Sequence, residues 1–500
     1  ASIAPGDRQL KEQVRRMRDQ LPASHVDYRF RSVAGFYRAP TLFKVNQRLS
    51  KVRMTDAALG GATNKLKSIG FLYERGPTST GAGLAWTATA AAYLNFVEDP
   101  ESGDIRRNTG VHEVAHTFGR AHAVFQDQGA LGSVGVCGSK FNDLVSPYHP
   151  FIEDTGIFNW IANGIHTSIA TTWPTIGPLD QGPDDEVWGF SPRAHANGSG
   201  FGHLVIVDPR FSAELMSYCD IPGAAQDRWV STFSYDKLNG RLRTAQHGPT
   251  RAPQGGFSTE LFLVTGAYNE DTEEFELEPI TRLDGIDPGN DPGEVHVALL
   301  DAGGSEIASR DVLLLQDGNH PGLSDGPAPD PPAFIAVIPV SAGQTPVAVA
   351  VTLDAQEIVR ATASANPPTV TITSPTGAMV ASGTIPIAWN AEDLDGDTLY
   401  TTILLSTDNG ASWETIGVDV EGSSYDAPTD YLEGSNSAII RLLVSDGFHT
   451  TEVTSPSFTL DAGYPLAFID NPVNGIAVEY DETLRLRGDA WDPEDGLLDG

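Results

Sequence analysis

The segment NTGVHEVAHTFGRAHA, residues 108–123, places three histidines, a glutamate and a glycine at a characteristic spacing. His112 and His116 are four residues apart, so a helix presents both imidazoles on one face. Gly119 permits a sharp or left-handed turn that ends the helix and brings His122 back towards them. The pattern predicts a short helix and a turn, with three imidazoles directed at one point.

The same segment predicts how that helix is buried. Val111, Val114, Ala115 and Phe118 follow the spacing i, i+3, i+4 and i+7, which forms an apolar stripe on a helix. The helix can therefore bury one side in a core while the histidines lie on the other.

Three imidazole nitrogens with one water are typical of an open, catalytic zinc site, because structural zinc sites use four protein ligands. Zinc lowers the pKa of its water to about 7. Glu113 is adjacent to the first ligand, where its carboxylate can act as the general base without ligating the metal. The residues alone leave two alternatives open: a chance occurrence of the motif, and a structural or inhibitory metal site.

The full pattern H-E-x-x-H-x-x-G-x-x-H resembles the zinc signature of the metzincin metallopeptidases. These enzymes also carry a methionine turn, and AELMSYC places Met216 in a similar position. WGF at 188–190 and the run from Trp229 to Tyr235 resemble the reprolysin-like secreted bacterial type. The alternative for Met216 is a core side chain. Ala123 departs from the Asp common in the adamalysin branch, and the stretch between the third histidine and the methionine is long.

The resemblance, which spans roughly residues 9–245, implies further site residues. Tyr218 follows the turn methionine by two residues, the spacing at which astacins and serralysins place a tyrosine near the zinc. A tyrosine packed beside the turn is the alternative. The strand around Gly83, Leu84, Ala85 and Trp86 would be the edge strand that pairs with an extended peptide substrate. Alternatively, it packs under the active-site helix.

Two cysteines flank the motif and the methionine turn. We expect a disulfide between Cys137 and Cys219 that ties the loop after the helix to the turn. Two unpaired buried thiols are the alternative. One disulfide permits secretion without establishing it.

Charge divides the chain in two. Residues 1–252 hold 26 Lys and Arg against 24 Asp and Glu, whereas residues 253–500 hold 6 against 42. An acidic surface repels phosphate backbones, so nucleic acid is not expected as a partner.

No apolar run reaches the ~20 residues that span a bilayer, so no membrane span is expected. The opening ASIAPGDRQLKEQ lacks an initiator Met, which suggests a mature or excised chain.

The predicted fold class is multidomain: an α/β metzincin-like domain followed by all-β sandwich modules. In the first part, 9–20, 43–58 and 228–242 are expected to be helical, and 68–74 to be a strand. Pro- and Gly-rich linkers and short alternating strands then divide the chain. The predicted domains are 1–252, a β-sandwich at 253–366, an Ig-like or fibronectin-like sandwich at 367–462, and the start of a further Ig-like module at 463–500.

Two acidic loops in the β-modules carry motifs of their own. STDNGASW at 406–413 matches the sialidase Asp box, and a lone copy favours a hairpin turn shaped by Asp408 and Gly410 over a propeller. Asp393, Asp395 and Asp397 alternate as in a calcium loop, which makes Ca²⁺ a second candidate cofactor. Solvated turn carboxylates are the preferred interpretation.

Together these features predict a secreted zinc-dependent endopeptidase that acts on protein or peptide substrates. The alternative is a non-catalytic cell-surface adhesion protein with a vestigial zinc domain. In either case the acidic β-modules are expected to meet an extracellular or cell-surface ligand.

Overall fold

The computed structural model describes the chain in segments. These are residues 10, 13, 14, 17, 20–22, 29–35, 42–60, 67–74, 83–86, 89–95, 109–118, 189–191, 205–207, 215, 230, 235, 238–242, 259–269, 272–315, 332–471 and 486–498. The described part is mostly β-sheet, with several sheets and few helices, an architecture rich in β-sandwiches and arranged as several domains. Within the described residues, no helix is long and apolar enough to cross a membrane.

The N-terminal part contains a small sheet with helices. Its elements are α1 (Leu42–Ala58), β1 (Ser68–Glu74), β2 (Gly83–Ala85), β3 (Thr89–Asn95), α2 (Thr109–Thr117), β4 (Gly189–Ser191) and β5 (Val205–Val207). The sheet order is β1-β3-β2, with β1 parallel and β2 antiparallel to β3. The expected helix at 43–58 and strand at 68–74 are confirmed. The described residues within 9–20, and residues 235 and 238–242 within 228–242, are also helical, whereas Val230 is not.

Helix α1 lies directly on this sheet. A Cβ added to Gly70 of β1 would come within 2.7 Å of Val45 and Leu49, so the missing side chain allows the close approach. The helix ends at Ala58, and two residues later Gly60 has a positive φ of 82°, the left-handed conformation that glycine favours after a helix.

The first β-module is a sandwich of two four-stranded sheets. Its strands are β6 (Thr259–Asn269), β7 (Glu274–Leu277), β8 (Thr281–Gly285), β9 (Val295–Leu300), β10 (Glu306–Val312), β11 (Ala333–Val340), β12 (Ala348–Leu353) and β13 (Gln356–Thr362). One sheet has the order β10-β9-β12-β13, and the other has β11-β6-β7 with β8 also paired to β6. Phe262, Val297, Phe334 and Val349 lie in the core between them.

The second β-module is also built from two sheets. Its strands are β14 (Thr369–Ser374), β15 (Val380–Ala381), β16 (Thr384–Glu392), β17 (Tyr400–Ser406), β18 (Glu414–Val420), β19 (Ser424–Pro428), β20 (Ser435–Ser445), β21 (Thr450–Thr454) and β22 (Phe458–Leu460). The sheets are β14-β16-β19 and β15-β22-β20-β17-β18, with β21 on β20. Ile385, Ile387 and Trp389 alternate inward along β16, the period of two expected of a strand with one buried face.

A third sheet follows, formed by β23 (Leu466–Asn471), β24 (Arg487–Asp492) and β25 (Gly496–Leu498). The described sheets therefore fall within the three predicted C-terminal ranges. The exact domain boundaries stay predictions.

The Asp-box loop forms the predicted turn. Asp408 accepts hydrogen bonds from the backbone N–H and the hydroxyl of Ser412, at 2.8 and 2.6 Å. Asn409 and Gly410 both have positive φ, and the guanidinium of Arg441 lies 4.0 Å from the ring centroid of Trp413.

Helix α1 also joins the N-terminal part to both β-modules. Its Met54 and Ala58 share a buried cluster with Leu261 of β6, Leu404 of β17 and other strand residues. The carbonyl of Ala58 accepts a hydrogen bond from the N–H of Ile286 at 2.8 Å.

Ion pairs reinforce this junction. Lys51 forms a buried ion pair with Asp419, and Lys44 lies 2.8 Å from Glu278. Asp56 accepts a hydrogen bond from the backbone N–H of Thr415 at 3.0 Å. Charge complementarity therefore holds α1 against the acidic half of the chain.

Candidate metal centre

Helix α2 carries the first three residues of the motif and is fixed by a small core. Val111, Val114 and Ala115 are buried with Leu215 and Leu238, and Phe118 packs at the edge of this cluster. The predicted apolar stripe is thus the side by which the helix is anchored.

Both ends of α2 are held by side chains from other segments. At its start, the N–H of Gly110 donates to Gln13 Oε1 at 3.1 Å. At its end, Lys67 Nζ donates to the carbonyl of Thr117 at 2.9 Å. Helix ends leave such groups without partners inside the helix, and a cation also complements the negative end of the helix dipole.

His112 and His116 meet as the i, i+4 spacing predicts. Their Nε2 atoms are 3.1 Å apart, and the rings meet edge to face at 82°. His112 is buried, and His116 is partly buried. The two nitrogens therefore lie together on a single side of the helix, at hydrogen-bonding distance.

A backbone carbonyl orients the first imidazole. His112 Nδ1 lies 2.8 Å from the carbonyl oxygen of Leu215, which can only accept, so Nδ1 carries the proton. The Nε2 of a neutral His112 then presents its lone pair. Outer hydrogen bonds of this kind fix the tautomer and ring orientation of metal-binding histidines.

This pair fits a zinc ion. Adjacent nitrogen ligands on a tetrahedral zinc, each at about 2.0–2.1 Å, are separated by about 3.3 Å. The observed 3.1 Å between the two Nε2 atoms is close to that value. Imidazole nitrogen is also a donor type that zinc prefers.

Glu113 follows the first histidine on α2 and is 5% exposed. A carboxylate buried to this degree needs partners or a nearby positive charge. Its role as the general base stays a prediction.

The remaining predicted site residues lie outside the described residues, so their placement stays a prediction. They are His122, Gly119, Met216, Tyr218, Cys137 and Cys219. Leu215, which precedes Met216, is fully buried against α2. Sequence reasoning missed its carbonyl, because any residue offers one and no side-chain pattern marks it.

The predicted substrate strand is partly formed in the structure. Strand β2 is at the edge of the described three-stranded sheet, but it ends at Ala85. The N–H of Trp86 donates to the carbonyl of Thr89 at 2.8 Å, which closes the turn into β3. Its indole is buried against Phe43, with ring centroids 5.7 Å apart. Trp86 therefore lies just beyond the end of β2, and the role of residues 83–86 in substrate pairing stays a prediction.

Three carboxylates lie close together at the acidic loop, but Asp446 takes the place expected for Asp395. Carboxylate oxygens of Asp393, Asp397 and Asp446 lie within 4.8 Å of one another. Asp395 instead accepts hydrogen bonds from the N–H and Nδ2 of Asn366, at 2.7 and 2.8 Å. Exposed acidic groups are common without an ion, so calcium stays untested.

Comparisons with known proteins add little. No model of a known protein family matches the chain, and no curated protein matches it. Among solved structures, a β-1,2-glucanase from Parabacteroides distasonis is similar to part of it at 14% identity and a TM-score of 0.14. The alignment covers 41% of this chain and 29% of that one, so the chain matches less than a third of the glucanase. A likeness this low carries no argument about fold or activity.

Proposed function

We propose that the chain is a secreted, zinc-dependent endopeptidase of the metzincin type, with an α/β catalytic part followed by β-sandwich modules. The observation that carries the proposal is the pair of facing Nε2 atoms of His112 and His116, 3.1 Å apart on one buried helix. His122, brought back by the turn at Gly119, would be the third ligand.

When bound, zinc supplies Lewis acidity that polarises a peptide carbonyl and activates water. The residues of the chain do the rest. The carbonyl of Leu215 holds the His112 ring in the ligating tautomer. Glu113 takes a proton as the water attacks and returns it to the leaving amine.

Substrate binding in this proposal uses backbone groups. The outer side of β2 is unpaired within the described sheet, so an extended peptide could add to it as a further strand. Tyr218 would donate to the developing oxyanion, a role typically worth about 3–4 kcal/mol.

The experiment is the Glu113→Gln substitution. The variant keeps all three histidines, so it should retain zinc, while losing the base should lower the cleavage rate by ~10²–10⁴ or more. Zinc content is measured by atomic absorption, and cleavage is measured on a denatured-protein or peptide library with and without a zinc chelator.

Glu357→Gln is the matched control, since it makes the same chemical change at an exposed surface ion pair. Near-normal turnover of the Glu113→Gln variant would contradict the proposed peptidase mechanism. A zinc-loaded wild-type chain that cleaves nothing would favour the adhesion protein with a vestigial zinc domain.

A further inference from the structure

Helix α2 depends on its surroundings for the order of its last turn. It has only nine residues, and isolated helices shorter than about 12–15 residues are marginally stable in water. His116 is the penultimate residue of α2, so it lies in the turn where helices fray. A contact that holds this turn therefore also holds the second candidate zinc ligand.

Three different donors occupy carbonyls of the last turn. The hydroxyl of Thr117 donates to the carbonyl of Val114 at 2.7 Å, and the N–H of Phe118 donates to the carbonyl of Ala115 at 3.1 Å. Both bonds are local and would be lost together if the turn unwound. The third donor, Lys67, comes from outside the helix and binds the carbonyl of Thr117 at 2.9 Å. Lys67 thus ties the turn to the rest of the molecule.

Lys67 is anchored where it can serve this purpose. It directly precedes β1, an edge strand of the small sheet on which α2 packs, and its ammonium lies 5.0 Å from the ring centroid of Phe118. Burial, and then the charge of Arg53, lower the pKa of Lys67 to about 8, although the charge of Asp291 acts in the opposite direction. Lys67 is therefore mostly protonated at pH 7, and its hydrogen bond to the carbonyl is charge-assisted.

We propose that Lys67 is a positioning residue of the zinc site, because it fixes the end of α2 and so holds the imidazole of His116 against that of His112. It is neither a metal ligand nor a catalytic residue, since it acts through Thr117 and Phe118. The inference rests on the proposed zinc site and assigns a further residue to it.

The same contact bears on the third predicted ligand. Thr117 and Phe118 are the two residues between the second histidine of the motif and Gly119. The chain that continues towards His122 therefore starts from the point that Lys67 holds.

The test measures metal affinity rather than turnover. Zn²⁺ binding by the full chain is measured in competition with a chromophoric chelator. Lys67→Met should weaken binding by about tenfold, the lower end of the ~10–100-fold cost of losing contacts outside the ligand shell. Lys67→Arg keeps a charged donor and should restore most of the affinity.

Co²⁺ in place of Zn²⁺ gives a readout that a general loss of stability does not move. Its visible absorption reports the geometry and type of the ligands. At saturating metal, the Lys67→Met variant should give a weaker band than the wild type, because His116 is held less firmly. Lys67→Arg should give the wild-type band. Urea titration reports the stability of each variant separately.

Lys44→Met is the matched control, because it removes the lysine of a partly exposed ion pair on α1. It should change neither the Zn²⁺ affinity nor the Co²⁺ band. If Lys67→Met does not fold, Lys67→Gln takes its place, and this uncharged variant should bind Zn²⁺ more weakly than Lys67→Arg.

The outcomes separate this inference from the proposed function. A wild-type chain that binds neither metal would overturn both. If the wild type binds both metals and the uncharged variant matches Lys67→Arg in affinity and in the Co²⁺ band, only the role of Lys67 is overturned.

Discussion

At the scale of single residues, Lys51 and Asp419 form an ion pair with almost no access to solvent. Their side chains are 2% and 7% exposed, and Lys51 also donates to the carbonyl of Pro279 at 2.9 Å. Removing one member of a buried pair leaves the other charge without compensation. The local sequence around either residue does not predict this ion pair, because 368 positions separate Lys51 from Asp419.

We expect Lys51→Met to lower the free energy of unfolding by about 3–5 kcal/mol, because Asp419 stays buried and charged. The double variant with Asp419→Asn should recover part of the loss, and Asn tolerates the left-handed backbone there. Urea titration measures both. Arg360→Met removes the cation of an exposed ion pair and is the control, with little change expected. A Lys51→Met chain as stable as the wild type would contradict the buried-pair argument.

His296 gives a pH-dependent prediction. Its hydrogen bond with Asp311, and then its contacts with Glu306, raise its pKa above the usual 6.5. A raised pKa in the folded state means that the pair stabilises the fold at low pH. That contribution is fully present below about 6.5 and is lost as the pH rises through the raised value. The stability gap between wild type and His296→Gln should therefore shrink over this window. A gap that grows with pH would reverse the assigned sign.

At the scale of elements, helix α1 and strand β1 could be predicted from the sequence because their signals are local. The run at 43–58 has no Gly or Pro, and 68–74 is rich in strand-forming residues. The burial of α2 through Val111 and Ala115 also followed from spacing alone. The tertiary contacts of α1 could not be predicted from its sequence. The helix is covered on several sides, and its buried Lys51 and Asp56 have partners on the distant strand β18.

The contact between α1 and β1 can be tested at Gly70. Gly70→Ala places a Cβ within 2.7 Å of Val45 and Leu49, so the helix must shift. Overpacking of this kind costs about 1–3 kcal/mol, and thermal unfolding should show a lower midpoint. Gly240→Ala is the control, because its Cβ meets nothing within 4 Å. Equal midpoints for the two variants would mean that α1 does not rest on the sheet.

The candidate site also has features that local spacing predicts and features that depend on tertiary contacts. The spacing of His112 and His116 predicted that they would meet, and they do. The order of the small sheet, which leaves β2 at an edge, depends on pairing between strands and could not be derived from β2 itself. Tyr218 and the Cys137–Cys219 disulfide stay predictions.

At the scale of the whole molecule, the two halves of different charge are joined by ion pairs. The charge break near 252 and the linker after it suggest that the first part folds alone. The contacts of α1 lead to the opposite expectation. Lys44 and Lys51 of α1 pair with carboxylates of the acidic modules, as does Arg31 upstream of the helix. Met54 of α1 is buried among the strands of these modules.

A chain ending at Gly256 therefore tests the two expectations against each other. It lacks Asp419 and Glu278, so Lys51 loses its buried partner and the apolar side of α1 meets water. We expect it to unfold at lower urea than the full chain, or to precipitate, and to bind zinc poorly because β1 and β3 rest on α1. A chain ending at Ala462 removes only the third sheet, keeps every α1 partner named above, and should retain zinc. A soluble, zinc-loaded 1–256 chain with the urea midpoint of the full protein would show that the charge break marks an independent domain.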